Sequence, residues 1–296
     1  MKSITDIIRR SLDQDEFSDF SEFEQCVLAS DKTQSLLVAL ELAMRTTTIG
    51  QAFAIGYRCA LQNLLPDLIQ DEWGAFCVTE KSGVHPKKLT TTVSESGVLN
   101  GHKSFVSMAD VAKELIVIAK TEDSIKEERP VLKAVRVKLP LKGAEISMMP
   151  SMGMMPEIGH GTLQLNNVQG QMLVGDGYLN FNKRFRAIED AHLIMAFTSL
   201  ILSKSIRYKL NDELIDDALV IISAIMMQDY SDEAFSVLQL NGINRLLTSL
   251  NSRFENELEK ISDDFKCDWV RDAKIFSLAE KARALKRERA IEPIHS

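Results

Sequence analysis

No apolar run in this 296-residue chain approaches the ~18 residues needed to cross a bilayer, so no membrane-spanning helix is expected. Basic residues do not predominate. The formal charge is −7, which argues against a protein whose main task is holding nucleic acid phosphates. Cysteine is sparse, and Cys26, Cys59, Cys77 and Cys267 show neither a disulfide framework nor metal-ligand spacing. His85, His102, His160, His192 and His295 are equally dispersed, and none pairs with a cysteine or carboxylate at metal spacing. There is no internal repeat and no low-complexity tract. The opening MKSITDIIRRSLDQDEF carries acidic residues early and lacks an apolar signal core, so no secretory leader is expected. A reducing cytoplasm is the simplest compartment consistent with these absences.

What is present falls into three textures. Residues 1–72 read as helical: Ile4, Ile7, Ile8 and Leu12 suit a short amphipathic helix, and Leu36 to Ala43 and Ile49 to Leu65 are dense in Ala and Leu. Pro66 marks the end of that run. From Trp73 the pattern turns to short Val-, Thr-, Ile- and Phe-rich runs at 75–79, 89–93, 115–119, 131–137 and 162–165. Turn signals separate them, among them Ser82-Gly83, Ser96-Gly97, Asn100-Gly101, Arg129-Pro130 and Asn166-Asn167. The charged stretch Asp123 to Arg129 reads as a solvated hairpin loop. After Gly175-Asp176-Gly177 helices are expected at 178–203, 212–228, 232–261 and 269–289, with Leu214 to Met227 apolar almost all round, as in a helix packed inside a bundle. The fold class is therefore α+β with segregated layers: a helical domain over 1–72, a central antiparallel β-barrel or sandwich over 73–173, and a C-terminal helical bundle over 174–296.

Four motifs stand in order along this frame. Phe76-Cys77-Val78-Thr79-Glu80 opens the strand block. Gly97-Val98-Leu99-Asn100-Gly101-His102-Lys103-Ser104-Phe105-Val106-Ser107 follows. Then come Ser151-Met152-Gly153, Gly161 to Val168 and Val174-Gly175-Asp176-Gly177, and last Arg271 to Ile275 leads to Glu280. Together they resemble the acyl-CoA dehydrogenase family, over about residues 43–290 and most closely over 74–110. The resemblance implies bound FAD, an acyl-CoA substrate and an electron-transfer flavoprotein as electron acceptor. Apolar helix faces such as Leu214 to Met227 suit a homo-oligomer, dimer or tetramer, as well as a monomer's core. The resemblance places Phe76, Val78, Thr79, Phe105 and Ser107 around the flavin. Thr79 would meet the pyrimidine edge, Phe105 stands where a tryptophan commonly flanks the ring, and Ser107 keeps the hydroxyl of a threonine on the N5 side. Glu280 takes the address of the base that removes the acyl α-proton.

Each of these residues also has a plainer reading. Val78 and Phe105 suit a core, Thr79 suits any strand, and on a continuous helix Glu280 lies opposite the Ile275, Leu278, Ala282 and Leu285 stripe, facing Arg283 or Arg287 in solvent. Several features depart from the family. The helical segment before the strands is short, and the adenosine-side signatures are absent. Lys81-Ser82-Gly83-Val84-His85-Pro86 stands in place of the Gly-rich phosphate turn, and Lys281 and Ala282 follow Glu280 where members often have glycine and threonine. The rival expectation is thus a non-catalytic relative that has lost FAD and serves as a binding or assembly module. A third is a flavoprotein acting on a substrate other than a thioester. Glu189 or Asp190 is a substitute base. The cluster Met148, Met149, Met152, Met154 and Met155 and the basic tail Lys281 to Arg289 have ordinary readings as a plastic edge and a solvated face.

Overall fold

The computed structural model describes residues 3–30, 33–67, 71–124, 129–230, 232–278 and 280–295. It divides into two compact units. One is helical and holds 1–60, 153–155 and 187–296; the other carries the sheet and holds 61–152 and 156–186. Most of the charged connection expected as a hairpin loop, residues 125–128, lies outside the described residues.

Among the described residues there are nine α-helices: α1 (Ile4–Asp13), α2 (Phe20–Leu28), α3 (Ser35–Ala43), α4 (Ile49–Leu64), α5 (Arg184–Arg207), α6 (Asp212–Met226), α7 (Glu233–Glu255), α8 (Asp263–Asp272) and α9 (Glu280–His295). Side-chain oxygens cap several of them. Asp19 accepts from the Glu22 N–H, Asn211 from Glu213, Asp232 from Phe235 and Ser262 from Phe265, each cap worth about 1 kcal/mol. The helical unit is centred on an aromatic knot. The Trp269 ring lies 4.6 Å from Phe254, 5.5 Å from Phe265 and 6.0 Å from Phe276, and its indole N–H donates to Asn251 at 3.1 Å.

Two helical expectations change here. The helix expected over 269–289 is broken: α8 stops at Asp272, Ala273–Ser277 winds as a 3₁₀ turn, and α9 begins at Glu280. Asp272 is fully buried, and its carboxylate accepts from the Met155 N–H and the Arg271 guanidinium, which holds the chain at that turn while Phe276 enters the knot. Ile275, Leu278, Ala282 and Leu285 therefore do not share one helix. The α6 segment, in turn, is not buried all round, because Leu219, Val220 and Met227 are exposed.

The second unit is an eight-stranded curled sheet: β1 (Gly74–Cys77), β2 (Thr92–Val93), β3 (Val98–Ser107), β4 (Glu114–Thr121), β5 (Leu132–Lys138), β6 (Ala144–Met148), β7 (His160–Gln169) and β8 (Gln171–Met172). The order is β6-β7-β3-β2-β4-β5-β8, with β1 paired to β4. The β1–β4 and β2–β4 pairs are parallel and the others antiparallel. Alternation sends Ala75, Cys77, Leu99, Val106, Val117 and Leu163 into one apolar core. Strand β4 is buried from Glu114 to Lys120 because it pairs with β1, β2 and β5.

Two dipeptides that read as turns prove to lie inside strands. Asn100-Gly101 is in β3 and Asn166-Asn167 in β7, and the two meet across the ladder, where Asn167 donates its N–H to the Asn100 side chain at 2.8 Å. The register slips by one residue there, with Asn167 at a φ of 52°, so this is a β-bulge. Gly101 has a φ of 146°, and a Cβ on it would sit 2.6 Å from the Thr91 Cα, so only glycine fits.

Candidate functional site

The site begins where β1 leaves its ladder. Beyond Cys77, a buried ion pair takes over from ladder hydrogen bonds. Lys103 Nζ donates to Glu80 Oε1 at 2.7 Å and to the Ile118 carbonyl at 2.6 Å. The Glu80 carboxylate also accepts from the N–H and hydroxyl of Thr90, both at 2.6 Å, and from those of Thr91 at 3.2 and 2.8 Å. Only an ionised carboxylate accepts five such bonds. Burial pushes the Glu80 carboxyl up, but the Lys103 charge and the hydrogen bonds from Lys103 and Thr90 outweigh it and hold it down at about 2. Burial moves Lys103 downward against the opposing pull of Glu80.

This anchor fixes the strand end that carries Thr79. The Thr79 carbonyl accepts the Ser104 N–H at 2.8 Å. Ser104 is free to make that bond because β3 bulges there: Lys103 pairs with Leu163, but Val106 pairs with Gly161, leaving one extra residue on β3. The bulge reverses the alternation. Lys103 and Val106 both turn inward, and Phe105 and Ser107 turn to the other face. Phe105 and Ser107 thus share a face of β3, and the Thr79 backbone is bonded to the adjoining Ser104. Among the described residues, the Thr79 and Ser107 hydroxyls have no hydrogen-bond partner.

Two other expected residues sit nearby in the chain with different surroundings. Val78 is buried, and Phe76 lies half-buried on the face of β1 opposite Ala75 and Cys77, with its ring against Phe185 at 4.4 Å. Glu280 opens α9, and its side chain lies outside the described residues. The ladder also adds a residue that the sequence did not single out. His160 is paired directly with Ser107, and its ring stacks on Phe105 at 4.7 Å. Fifty-odd residues separate the two in the chain, and no local pattern links them.

No protein-family model matches the sequence, and no curated protein matches it. Solved structures do. The butyryl-CoA dehydrogenase of Megasphaera elsdenii aligns over 98% of this chain and 98% of its own, with a TM-score of 0.68 at 16% identity. The fold is that of the acyl-CoA dehydrogenases. Two further matches with this fold are PigA with FAD and proline, with a TM-score of 0.72 at 11% identity over 100% of this chain and 98% of the other, and the prolyl acyl carrier protein oxidase AnaB, with 0.67 at 15% over 98% and 94%.

A flavin ring is a planar amphipath that needs apolar faces and a few hydrogen bonds at its polar edge. The Phe105 ring and the open hydroxyls of Thr79 and Ser107 fit that requirement. The turn after Glu80 fits a diphosphate less well. The Gly83 N–H already donates to the Glu80 carbonyl at 2.8 Å, and the Ser82 hydroxyl to the Lys88 carbonyl at 2.7 Å. The turn is closed on itself.

Proposed function

We propose that this chain is an FAD-dependent oxidoreductase that dehydrogenates an acyl thioester, with the sheet unit as platform for the flavin ring. The observation that supports this most is the β3 bulge, which turns the Phe105 ring and the Ser107 hydroxyl to one face while Ser104 bonds the Thr79 carbonyl, with the Thr79 and Ser107 hydroxyls unpartnered among the described residues. Bound FAD supplies the hydride acceptor. Thr79 and Ser107 donate hydrogen bonds to the polar edge of the ring, while Phe105, Val78 and Phe76 give apolar surface that excludes water. Glu280 is assigned as the base that takes the α-proton, on the strength of its position after Arg271 to Ile275. The acyl-CoA reading of the substrate rests on the same resemblance. It is supported by two relatives whose names specify an acyl-CoA and an acyl carrier protein. A homo-oligomer in the cytoplasm that passes electrons to an electron-transfer flavoprotein completes the proposal.

The purified protein is expected to be yellow, or to become so on incubation with FAD, and to bleach with an acyl-CoA such as butyryl-CoA. Glu280→Gln should keep the colour and slow bleaching at least about 100-fold. A colourless protein that takes up no FAD would sink the proposal. One observation favours a second reading, a non-catalytic module of the same fold: the donors of the turn at Ser82 and Gly83 are already taken. On that reading Glu280→Gln leaves function in cells unchanged.

A further inference from the structure

Residues paired directly across an antiparallel ladder project from the same face. Ser107 and His160 are such a pair, and Phe105 lies beside them with its ring on the imidazole at an interplanar angle of 29°. His160 is held firmly. Its backbone is bonded into β7, and its carbonyl accepts the Met149 N–H at 2.8 Å. The neighbouring Ala109 N–H donates to the Gly159 carbonyl at 2.9 Å. At 9% exposure the side chain is nine-tenths buried, yet neither ring nitrogen has a hydrogen-bond partner among the described residues.

The two nitrogens differ. Nδ1 is sealed from solvent without a partner, whereas Nε2 is not among the sealed atoms. Burial pushes the imidazole toward its neutral form, with the nearby Asp110 charge opposing it. A neutral ring carries one proton. A sealed N–H without an acceptor is the costlier orphan, and a sealed bare lone pair is better tolerated. The proton therefore belongs on Nε2, and the ring presents an N–H donor on the face that also carries the Ser107 hydroxyl.

We propose that His160 is a positioning residue of the flavin site: its Nε2–H donates to the acceptor edge of the bound ring, in concert with the Ser107 hydroxyl, while its own ring backs Phe105. This rests on the reading that the chain binds a flavin. The ligand it selects is a flat conjugated heterocycle with hydrogen-bond acceptors along one edge. A ligand whose only polar group is a donor would leave both groups unmatched.

The test is FAD titration of wild type, His160→Phe and His160→Gln, followed by absorbance and flavin fluorescence, with melting of each apoprotein measured alongside. Phenylalanine keeps the stack on Phe105 and deletes both nitrogens. Glutamine restores a donor near the Nε2 position. We expect H160F to weaken FAD about tenfold and shift the long-wavelength flavin band, and H160Q to stay within about threefold of wild type. Apo H160F should melt no lower than wild type, because a sealed unpaired nitrogen has been removed. Equal affinity and an identical spectrum in H160F overturn the role of His160 and leave the flavin reading standing. A lower melting temperature of apo H160F overturns the assignment of Nδ1 as unpartnered, and the inference with it. If wild type takes up no FAD, both the inference and the flavin reading fall.

Discussion

The helical and sheet units draw the partners of their buried polar groups from different distances along the chain. In the helical unit several of these groups bond to their own helix, while others reach far along the chain, as Ser203 does to the Met44 carbonyl at 2.5 Å and His192 Nε2 does to the Ser35 hydroxyl at 2.8 Å. Ser11, Ser199 and Ser205 donate to the carbonyls of Ile7, Met195 and Ile201, and His192 Nδ1 lies 2.7 Å from the Ile188 carbonyl, each four residues back. In the sheet unit the principal buried polar group, Glu80, draws its partners from 10, 11 and 23 residues away. A helix satisfies its backbone internally, so a buried hydroxyl finds an acceptor one turn away. A strand that leaves its ladder has no such neighbour and must be tied by side chains from other strands. In the sheet unit the Glu80–Lys103 knot of charge supplies that tie, and it also positions the strand end carrying Thr79.

The largest expected effect tests that knot. Glu80→Leu leaves Lys103 buried without its counter-charge and should cost about 3–5 kcal/mol in urea unfolding. The double substitution Glu80→Leu with Lys103→Met should recover at least half of that, since it removes both charges. A double variant no more stable than Glu80→Leu would show that the knot does not act as a pair. No single back-bonded serine of the helical unit should approach this loss; each is worth about 1 kcal/mol.

Acid should separate the two units next. Burial holds His192 down to about 4 against the bond to Ile188, so the folded imidazole stays neutral while the unfolded one, at 6.5, takes up a proton. Stability is then fully present above about pH 6.5 and falls by about 3 kcal/mol as pH drops toward 4. Glu80 has the later window. Its stabilisation is present above 4.5 and is lost as pH falls through about 2. Hydrogen exchange followed by region should show protection in the helical unit declining first. His192→Gln should flatten the upper window, and an unchanged slope in that variant would break the comparison.

The smallest expected effect falls on the site itself. Ser107→Ala removes a hydroxyl that has no partner among the described residues, so folding stability should change by no more than about 0.5 kcal/mol. FAD affinity should fall several-fold in the same variant. A loss of more than about 1 kcal/mol in folding would mean that the hydroxyl has a structural partner after all.

The legibility of the chain follows the same division. Helices α1 and α3 to α7 announce themselves through local periodicity and Ala- and Leu-dense runs, whereas α2 was read only as part of a helical stretch over 1–72. Strands β4 and β5 were equally plain, being β-branched runs of ordinary length. β6 and β8 were not foreseen, because Ala144–Met148 and Gln171–Met172 are short edge segments with little apolar pattern. Asn100-Gly101 and Asn166-Asn167 have turn chemistry, but the ladder uses it for a bulge. The break before α9 depends on Asp272 bonding to Met155, a separation of 117 residues.

For the site, composition and motif order by themselves determined the α+β sequence of helices, strands and helices and the grouping of Phe76, Val78 and Thr79 on one stretch. Those properties are local, carried by neighbours along the chain. Tertiary structure alone decided that a bulge turns Phe105 and Ser107 away from the face of Lys103, that Glu80 and Lys103 become one buried pair, and that His160 lies opposite Ser107. Each depends on strand register, in which a shift of one residue sends every side chain to the opposite face.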